Sequence, residues 1–357
     1  MLDILNVKPH QISPSIEGKT FFFYGGPKTG KTTLASQFPQ PLIIGFEKGW
    51  NMISGIKAVP IDNWYEALNV QQQLIRLRAQ YNAGQIDDPM YRTIVIDTAD
   101  IASVLAEKFV LKREHKSYLD ETEQKRGYEA LRREYDNYIQ ALQKAGYGVI
   151  NISHAKTIQI KDRRTDEKTD KIVPTVHDRI SSIIYRFSDF VGYISTEKDE
   201  EGVLQRYITF RADGDEILCG SRGKYMPERI PLSYETLEEA VKEAVMAEAG
   251  AKNMETVSKT EVLFNDNAMP DLVDIKNEIG TYAKAFTEAD AMSHFKAITT
   301  RFLGLNKLVM DCDDSQIEIL MIIRDTVAAK AQELGILIEK EATPKKKTSK
   351  KKAAAAE

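Results

Sequence analysis

Cysteine is scarce in this chain of 357 residues: there are 2, Cys219 and Cys312, far apart in sequence. That excludes a disulfide-framed scaffold and any cysteine metal spacing, and it fits a reducing cytoplasm in which both serve as small core residues. No run of 18 apolar residues and no charged-then-apolar leader occurs. The expectation is therefore neither a membrane span nor a secretion signal. No internal repeat is visible. Charge shows no large excess, with a net value of −4, but Lys345, Lys346, Lys347, Lys350, Lys351 and Lys352 cluster near the C-terminus, and taking away those six leaves −10. A basic tail on an acidic body hints at polyanion binding, and a solvated tail is the plainer reading. With 42% hydrophobic residues the chain can bury a full core in one large domain and a small one.

The organising stretch is Phe21-Phe22-Phe23-Tyr24-Gly25-Gly26-Pro27-Lys28-Thr29-Gly30-Lys31-Thr32-Thr33. An apolar strand runs into G-x-x-x-x-G-K-T and then a helix start, the setting a phosphate-binding loop requires. Gly25 and Gly30 permit a tight turn with N–H groups pointing inward, and the helix beginning near Lys31 adds its positive end. Residues 25–33 are the expected ATP cradle, with Lys31 reaching the β- and γ-phosphates and Thr32 holding Mg²⁺.

Residues 1–17, with Pro9 and Pro14, read as an extended arm suited to packing on a neighbouring subunit. Leu42–Phe46 reads as a second buried strand ending at Glu47, a carboxylate at the edge where ligands bind in open parallel sheets. Glu47 is thus placed either to activate water near a γ-phosphate or as a surface loop residue. Ile56–Ile61 reads as a short strand and Trp64–Tyr81 as a helix. Thr93–Thr98 is a β-branched strand closing on Asp97, sixty-six residues after Lys31, as a Walker B element would. Asp97 is expected in the Mg²⁺ shell. Ile101–Gly146 is mostly helical around a polar interruption at 114–127, and Tyr128, Tyr135 and Tyr138 recur at core spacing. Gly148–His154 forms the next buried strand, and His154 at its end is either a γ-phosphate sensor or a structural histidine.

The following segment, 156–175, carries Lys161, Arg163, Arg164 and Lys168 with no aromatic residue. It reads as a flexible hairpin or a segment that orders on binding, offering cations to a nucleic-acid backbone without stacking rings. After a helix near 176–186, strands are expected at 189–195, 205–211 and 216–219, an antiparallel extension of the parallel sheet. Arg222 and Lys224 on the next loop suit a finger inserted into a neighbour's nucleotide site, or a basic surface turn. Residues 231–249 read as a last core helix and 250–270 as a linker. Three helical patterns at 272–286, 288–302 and 316–337 follow, with Thr287 and Asp290 as a helix start.

The set Gly25–Thr33, Glu47, Asp97, His154 and Arg222/Lys224 resembles the RecA-like core rather than the AAA+ core. In that family the catalytic glutamate ends the strand after the P-loop helix, as Glu47 does, whereas Asp97 is followed by Thr98 and not Glu. More narrowly, residues 15–245 resemble phage-encoded RecA-like ATPases described as phage nucleotide-binding or AAA-type proteins, some of them similar to Rad-type recombinase paralogues. The resemblance implies ATP and Mg²⁺, action on single-stranded DNA alongside single-strand binding protein, and a homo-oligomeric ring or filament in the host cytoplasm. It places His154 where recombinases carry Gln, makes the loop after it the DNA-binding loop, and gives Arg222/Lys224 the role of the trans-acting pair of hexameric helicases. That loop is less basic than a recombinase's, which favours annealing over strand exchange.

The expected fold is an α/β RecA-like P-loop core over 18–249, a mostly parallel sheet with an antiparallel extension. A helical domain over 271–340 and a lysine-rich tail at 341–357 follow. The expected function is an ATPase of phage recombination or single-strand annealing. The alternatives are a nucleotide-switched adaptor of helicase-loader type acting on a protein partner and, more remotely, a motor.

Overall fold

Five consecutive buried residues, Phe21–Gly25 (β1), set the layering. Side chains alternate across a strand, so Phe21 and Phe23 enter one apolar cluster while Phe22 and Tyr24 enter another. Each buried ring contributes about 1.5–3 kcal/mol on either face. The computed structural model describes residues 9–119, 126–161, 168–198, 201–212, 216–257, 272–305, 307–313 and 316–336. It divides into two compact units, Met1–Phe264 and Asn265–Glu357.

In the first unit β1 is followed by α1 (Lys31–Ala35), β2 (Pro41–Gly45), β3 (Lys57–Pro60), α2 (Trp64–Asn82), β4 (Thr93–Asp97), α3 (Ala99–Arg113) and α4 (Arg126–Lys144). Then come β5 (Gly148–Lys161), β6 (Lys168–Pro174), α5 (Asp178–Phe187), β7 (Phe190–Lys198), β8 (Leu204–Thr209), β9 (Gly220–Ser221), β10 (Arg229–Pro231) and α6 (Tyr234–Ala251). The sheet order is β10-β8-β7-β1-β5-β4-β2-β3, with β6 on β5 and β9 on β7. From β3 across to β7 every pairing is parallel, and β8, β9 and β10 add antiparallel strands beyond or beside β7. This is the mostly parallel sheet with an antiparallel extension that the sequence predicts. Helices α1 and α6 cover one face through Leu34, Ala35, Leu237 and Val241, and α2 to α5 cover the other. Tyr135 and Tyr138 are core residues, their rings against Trp64.

Several local expectations are corrected. β5 does not end at His154: it continues to Lys161 and pairs antiparallel with β6 from Ala155↔Pro174 to Lys161↔Lys168, so the described residues of segment 156–175 form the two strands of a hairpin, and 162–167 lie outside the described residues. The strand expected at 216–219 is a single bridge, Ile172↔Ile217, and the paired residues are Gly220–Ser221. Strand β10 was not expected; its three residues are too short for a periodic signal. Thr287 does not start a helix: it lies inside α7 (Leu272–Glu288) and its hydroxyl donates back to the Ala283 carbonyl. In the described part of the N-terminal arm the Ile12 carbonyl accepts from the Val257 amide. Residues 1–8, 258–271 and 341–357, the tail included, lie outside the described residues.

The second unit contains α7, α8 (Met292–Leu303), a 3-10 turn at Val309–Asp311 and α9 (Ile317–Glu333) around Ile275, Ile279, Phe286, Phe295, Leu320, Ile323 and Val327.

Candidate functional site

The register of the parallel strands brings the motif residues to one edge. Gly25 stands opposite His154 and Ile194, and Gly45 opposite Asp97, which stands opposite Ile152. The C-terminal ends of β1, β2 and β4 therefore open on the same side as His154, where an open α/β sheet binds its ligand.

The loop between β1 and α1 is where the sequence places the phosphate cradle. Gly30, at φ 100°, caps α1, a conformation that costs glycine little. Lys28 also takes a left-handed φ of 61°. The Lys31 ammonium is buried and donates to the carbonyls of Gly25 at 3.0 Å and Gly26 at 2.7 Å. Burial pushes its pKa down, and Asp97, Asp100 and Glu47 push back. The Thr29 hydroxyl donates to the Gly26 carbonyl at 3.0 Å, whereas Pro27 and Thr33 are exposed. Because α1 has five residues, the electropositive end rests on its first-turn N–H groups rather than on a long dipole.

The Thr32 hydroxyl donates to Asp97 Oδ2 at 2.8 Å. Asp97 is 2% exposed, and burial raises its pKa while the Thr32 hydrogen bond lowers it. This pair is an all-oxygen set suited to a hard cation that retains water and phosphate ligands, as Mg²⁺ does. Space for it is preserved by Gly49, where a Cβ would stand 3.6 Å from Asp97 Oδ2 and 3.7 Å from Thr32 Oγ1. Among the described residues no cluster of three or more His, Cys, Asp or Glu is placed to hold a metal ion.

Glu47 sits beside this pair. The Phe46 and Glu47 amides donate to the Asp97 carbonyl at 2.7 and 3.1 Å, fastening the loop after β2 to the end of β4. The peptide between Asp97 and Thr98 is cis. Thr98 donates through its hydroxyl to Glu47 Oε1 at 2.8 Å, and Glu47 Oε2 lies 3.6 Å from His154 Nε2. His154 Nδ1 is buried without a hydrogen-bond partner. Lys31, Thr32, Asp97, Glu47 and His154 thus share one site.

Arg222 and Lys224 do not share it. Arg222 donates to Asp189 Oδ1 at 3.2 Å and to the Arg186 carbonyl, and Asp189 accepts from the Thr20 amide, just before β1. That is the N-terminal edge of β1, a strand's length (about 13 Å) from the cradle. Lys224 is exposed, over the Tyr225 ring. Lys161 and Lys168 face each other as the outermost described pair of the β5–β6 ladder; Arg163 and Arg164 lie outside the described residues.

Three residues escaped the sequence reading. Thr98 was noticed only as a non-glutamate. Asp100, in the first turn of α3, carried a weak helix-start signal. Arg206 carried none: it lies on β8, and its Nη1 would be 3.4 Å from a Cβ on Gly30.

A cradle on β1, a carboxylate on β4 and an intervening strand, β5, carrying a polar residue define a P-loop NTPase of the class in which one strand separates the Walker A and Walker B strands. Residues 17–215 match the family described as AAA domain, and the chain belongs to that family. It is 27% identical over 331 residues to the SPbeta prophage-derived uncharacterized protein YorG of Bacillus subtilis (strain 168), covering 91% of this chain and 97% of that protein. Among solved structures it matches the KaiC-like protein PH0186 of Pyrococcus horikoshii OT3 at 15% identity and a TM-score of 0.34, over 62% of this chain and 94% of the other. That likeness is too loose to bear on the fold, which rests on the strand order. Among the described residues no helix is long and apolar enough to cross a membrane.

Proposed function

We propose that this chain hydrolyses ATP at the Lys31–Thr32–Asp97–Glu47 site and uses the cycle in phage recombination or replication, assisting the annealing of single-stranded DNA. The observation that carries the catalytic reading is the 2.8 Å contact of Thr32 with Asp97 beside a Glu47 whose carboxylate is oriented by Thr98. The first-turn amides and Lys31 hold the β- and γ-phosphates, exchanging the ammonium's two carbonyl partners for phosphate oxygens. Thr32 and Asp97 would hold Mg²⁺, which would supply charge neutralisation on the phosphate oxygens. Glu47, with Oε1 occupied by Thr98, turns Oε2 to a water, takes its proton as the water oxygen bonds to the γ-phosphorus, and ADP leaves. His154, with one ring nitrogen near Glu47, reads the γ-phosphate. Arg206 adds positive charge beside Gly30 in the same chain, and Arg222 and Lys224 act from a neighbouring copy in a ring or filament.

Support for the DNA reading is the β5–β6 ladder leaving the site at His154, with Lys161 and Lys168 directly opposed at its outer end. Two cations side by side at the outer described end of a ladder suit contact with a phosphate backbone. Arg163 and Arg164 belong to the same segment, and single-strand binding protein is the expected companion. The test is the ATPase rate with and without single-stranded DNA at low and moderate salt. Stimulation that fades with salt is expected, because phosphate contacts release counterions. A flat response overturns the DNA reading and favours a nucleotide-switched adaptor, for which the exposed Leu305, Leu308 and Met310 of the helical unit offer a protein-docking surface.

A further inference from the structure

The carboxylate of Asp100 gathers three donors from two elements. It accepts from the His154 backbone amide at 3.3 Å, from the Thr175 hydroxyl, and from the Ser153 hydroxyl at 3.2 Å, which shares its one hydrogen with the His154 carbonyl at 3.2 Å. Ser153 is fully buried, and its oxygen accepts in turn from the Val176 amide at 3.5 Å. The Thr175 amide donates to the His154 carbonyl at 2.9 Å, closing the same circuit. Ser153 and His154 lie where β5 leaves the sheet, Thr175 follows the last residue of β6, and Asp100 is in the first turn of α3, three residues after Asp97. One carboxylate therefore ties both legs of the hairpin to the segment that begins at the Walker B aspartate. Hydrogen bonds to a charged acceptor are the stronger kind. A hairpin joined only through its β5 leg could pivot at His154; joined through both legs it follows α3.

We propose that Asp100 is the positioning residue that couples the nucleotide site to the β5–β6 hairpin, fixing His154 for the phosphate and transmitting the occupancy of that site to both hairpin strands. The coupling rests on the nucleotide-site reading given above. It does not require the hairpin's partner to be DNA: any ligand of the hairpin is linked reciprocally to the nucleotide through the same carboxylate.

Hydrogen exchange on the full chain, with and without Mg²⁺ and the slowly hydrolysed analogue ATPγS, tests it. Nucleotide is expected to change exchange of the hairpin amides, 156–161 and 168–173, by about fivefold or more, the lower end of allosteric couplings. In Asp100→Ala that nucleotide-dependent difference is lost while ATPγS still binds. Asp100→Asn keeps one acceptor oxygen and retains part of the response. Thr175→Val removes the side-chain tie of the β6 leg to Asp100 and leaves the Thr175 amide on the His154 carbonyl, so the response of the whole hairpin shrinks; this variant decides the matter if Asp100→Ala fails to fold, and a Thr175→Val response equal to the wild type's then overturns the proposal. A wild-type hairpin indifferent to bound ATPγS, or an Asp100→Ala hairpin that responds as the wild type does, overturns the proposal. Absence of ATPγS binding in the wild type, measured on the same sample, instead overturns the nucleotide-site reading beneath it.

Discussion

Two adjacent glycines of the cradle should respond unequally to the same added methyl group. A Cβ on Gly25 would overlap the Ile194 carbonyl oxygen and stand 3.2 Å from its carbon. Those are backbone atoms of β7, paired with β1 at that position, so no side chain can rotate away. Overpacking of this kind costs about 1–3 kcal/mol, and pushing β7 aside weakens a ladder hydrogen bond by roughly a further 1 kcal/mol. Gly25→Ala should thus lose about 2–4 kcal/mol, and in a unit of this size the melting temperature should fall by roughly 5–15 °C. A Cβ on Gly26 meets only Thr29 Cγ2 at 3.5 Å, an ordinary contact. Gly26→Ala should stay within about 1 kcal/mol of the wild type, a shift of no more than about 3 °C. Thermal melts of the full chain followed by far-ultraviolet circular dichroism decide this. Equal melting of Gly25→Ala and wild type, or an equal fall for both variants, would refute the strand placement on which the site is built.

Asp97→Asn keeps an acceptor for Thr32 while removing a buried charge, so its melting temperature should hold within about 3 °C while Mg²⁺-dependent turnover falls at least about a hundredfold; a large loss of stability would make Asp97 a structural residue. Arg206→Ala should weaken ATP binding about tenfold, the worth of one charge-assisted phosphate contact, with Arg206→Lys partly restoring it in a fluorescent-nucleotide titration; unchanged affinity removes Arg206 from the site. Burial lowers the Lys31 pKa below its ordinary 10.5, so the unfolded chain holds that proton more tightly. The stability of wild type relative to Lys31→Met should therefore rise with pH across the alkaline window below 10.5, and denaturant titrations showing a fall would contradict the burial of the ammonium. Mixing Arg222→Ala with Glu47→Gln subunits should restore partial turnover, because only mixed interfaces unite an intact Glu47 with an intact Arg222; complete lack of rescue counts against a shared site.

What could be read from the sequence was what local pattern encodes. Phe21–Gly25, Thr93–Asp97 and the start of β5 are apolar runs bounded by turn residues, and their closing residues fell on one sheet edge because parallel strands share a direction. The spacing from Lys31 to Asp97 marked the cradle and its carboxylate. Register and strand order were hidden, since nothing local says that β5 lies between β1 and β4. The hydrogen bonds of Thr98 to Glu47 and of Thr175 to Asp100 follow from that order, and so does the position of Arg206 near Gly30. The outward half of β5 was obscured because Lys156 and Lys161 mask the alternation of Ile158 and Ile160, a ladder with little burial to enforce it. Arg222 looked free on its loop, and only the fold brings Asp189 and the Arg186 carbonyl to it.

The most direct test of the catalytic assignment is single-turnover ATP hydrolysis by Glu47→Gln alongside ATP affinity measured on the same preparation with Mg²⁺. The amide keeps an oxygen for Thr98 and cannot take a proton from water, so affinity should stay within about threefold while the hydrolysis step slows by about 10²–10⁴. Hydrolysis at the wild-type rate with full affinity would mean that another group activates the water and that Glu47 is a bystander at the sheet edge.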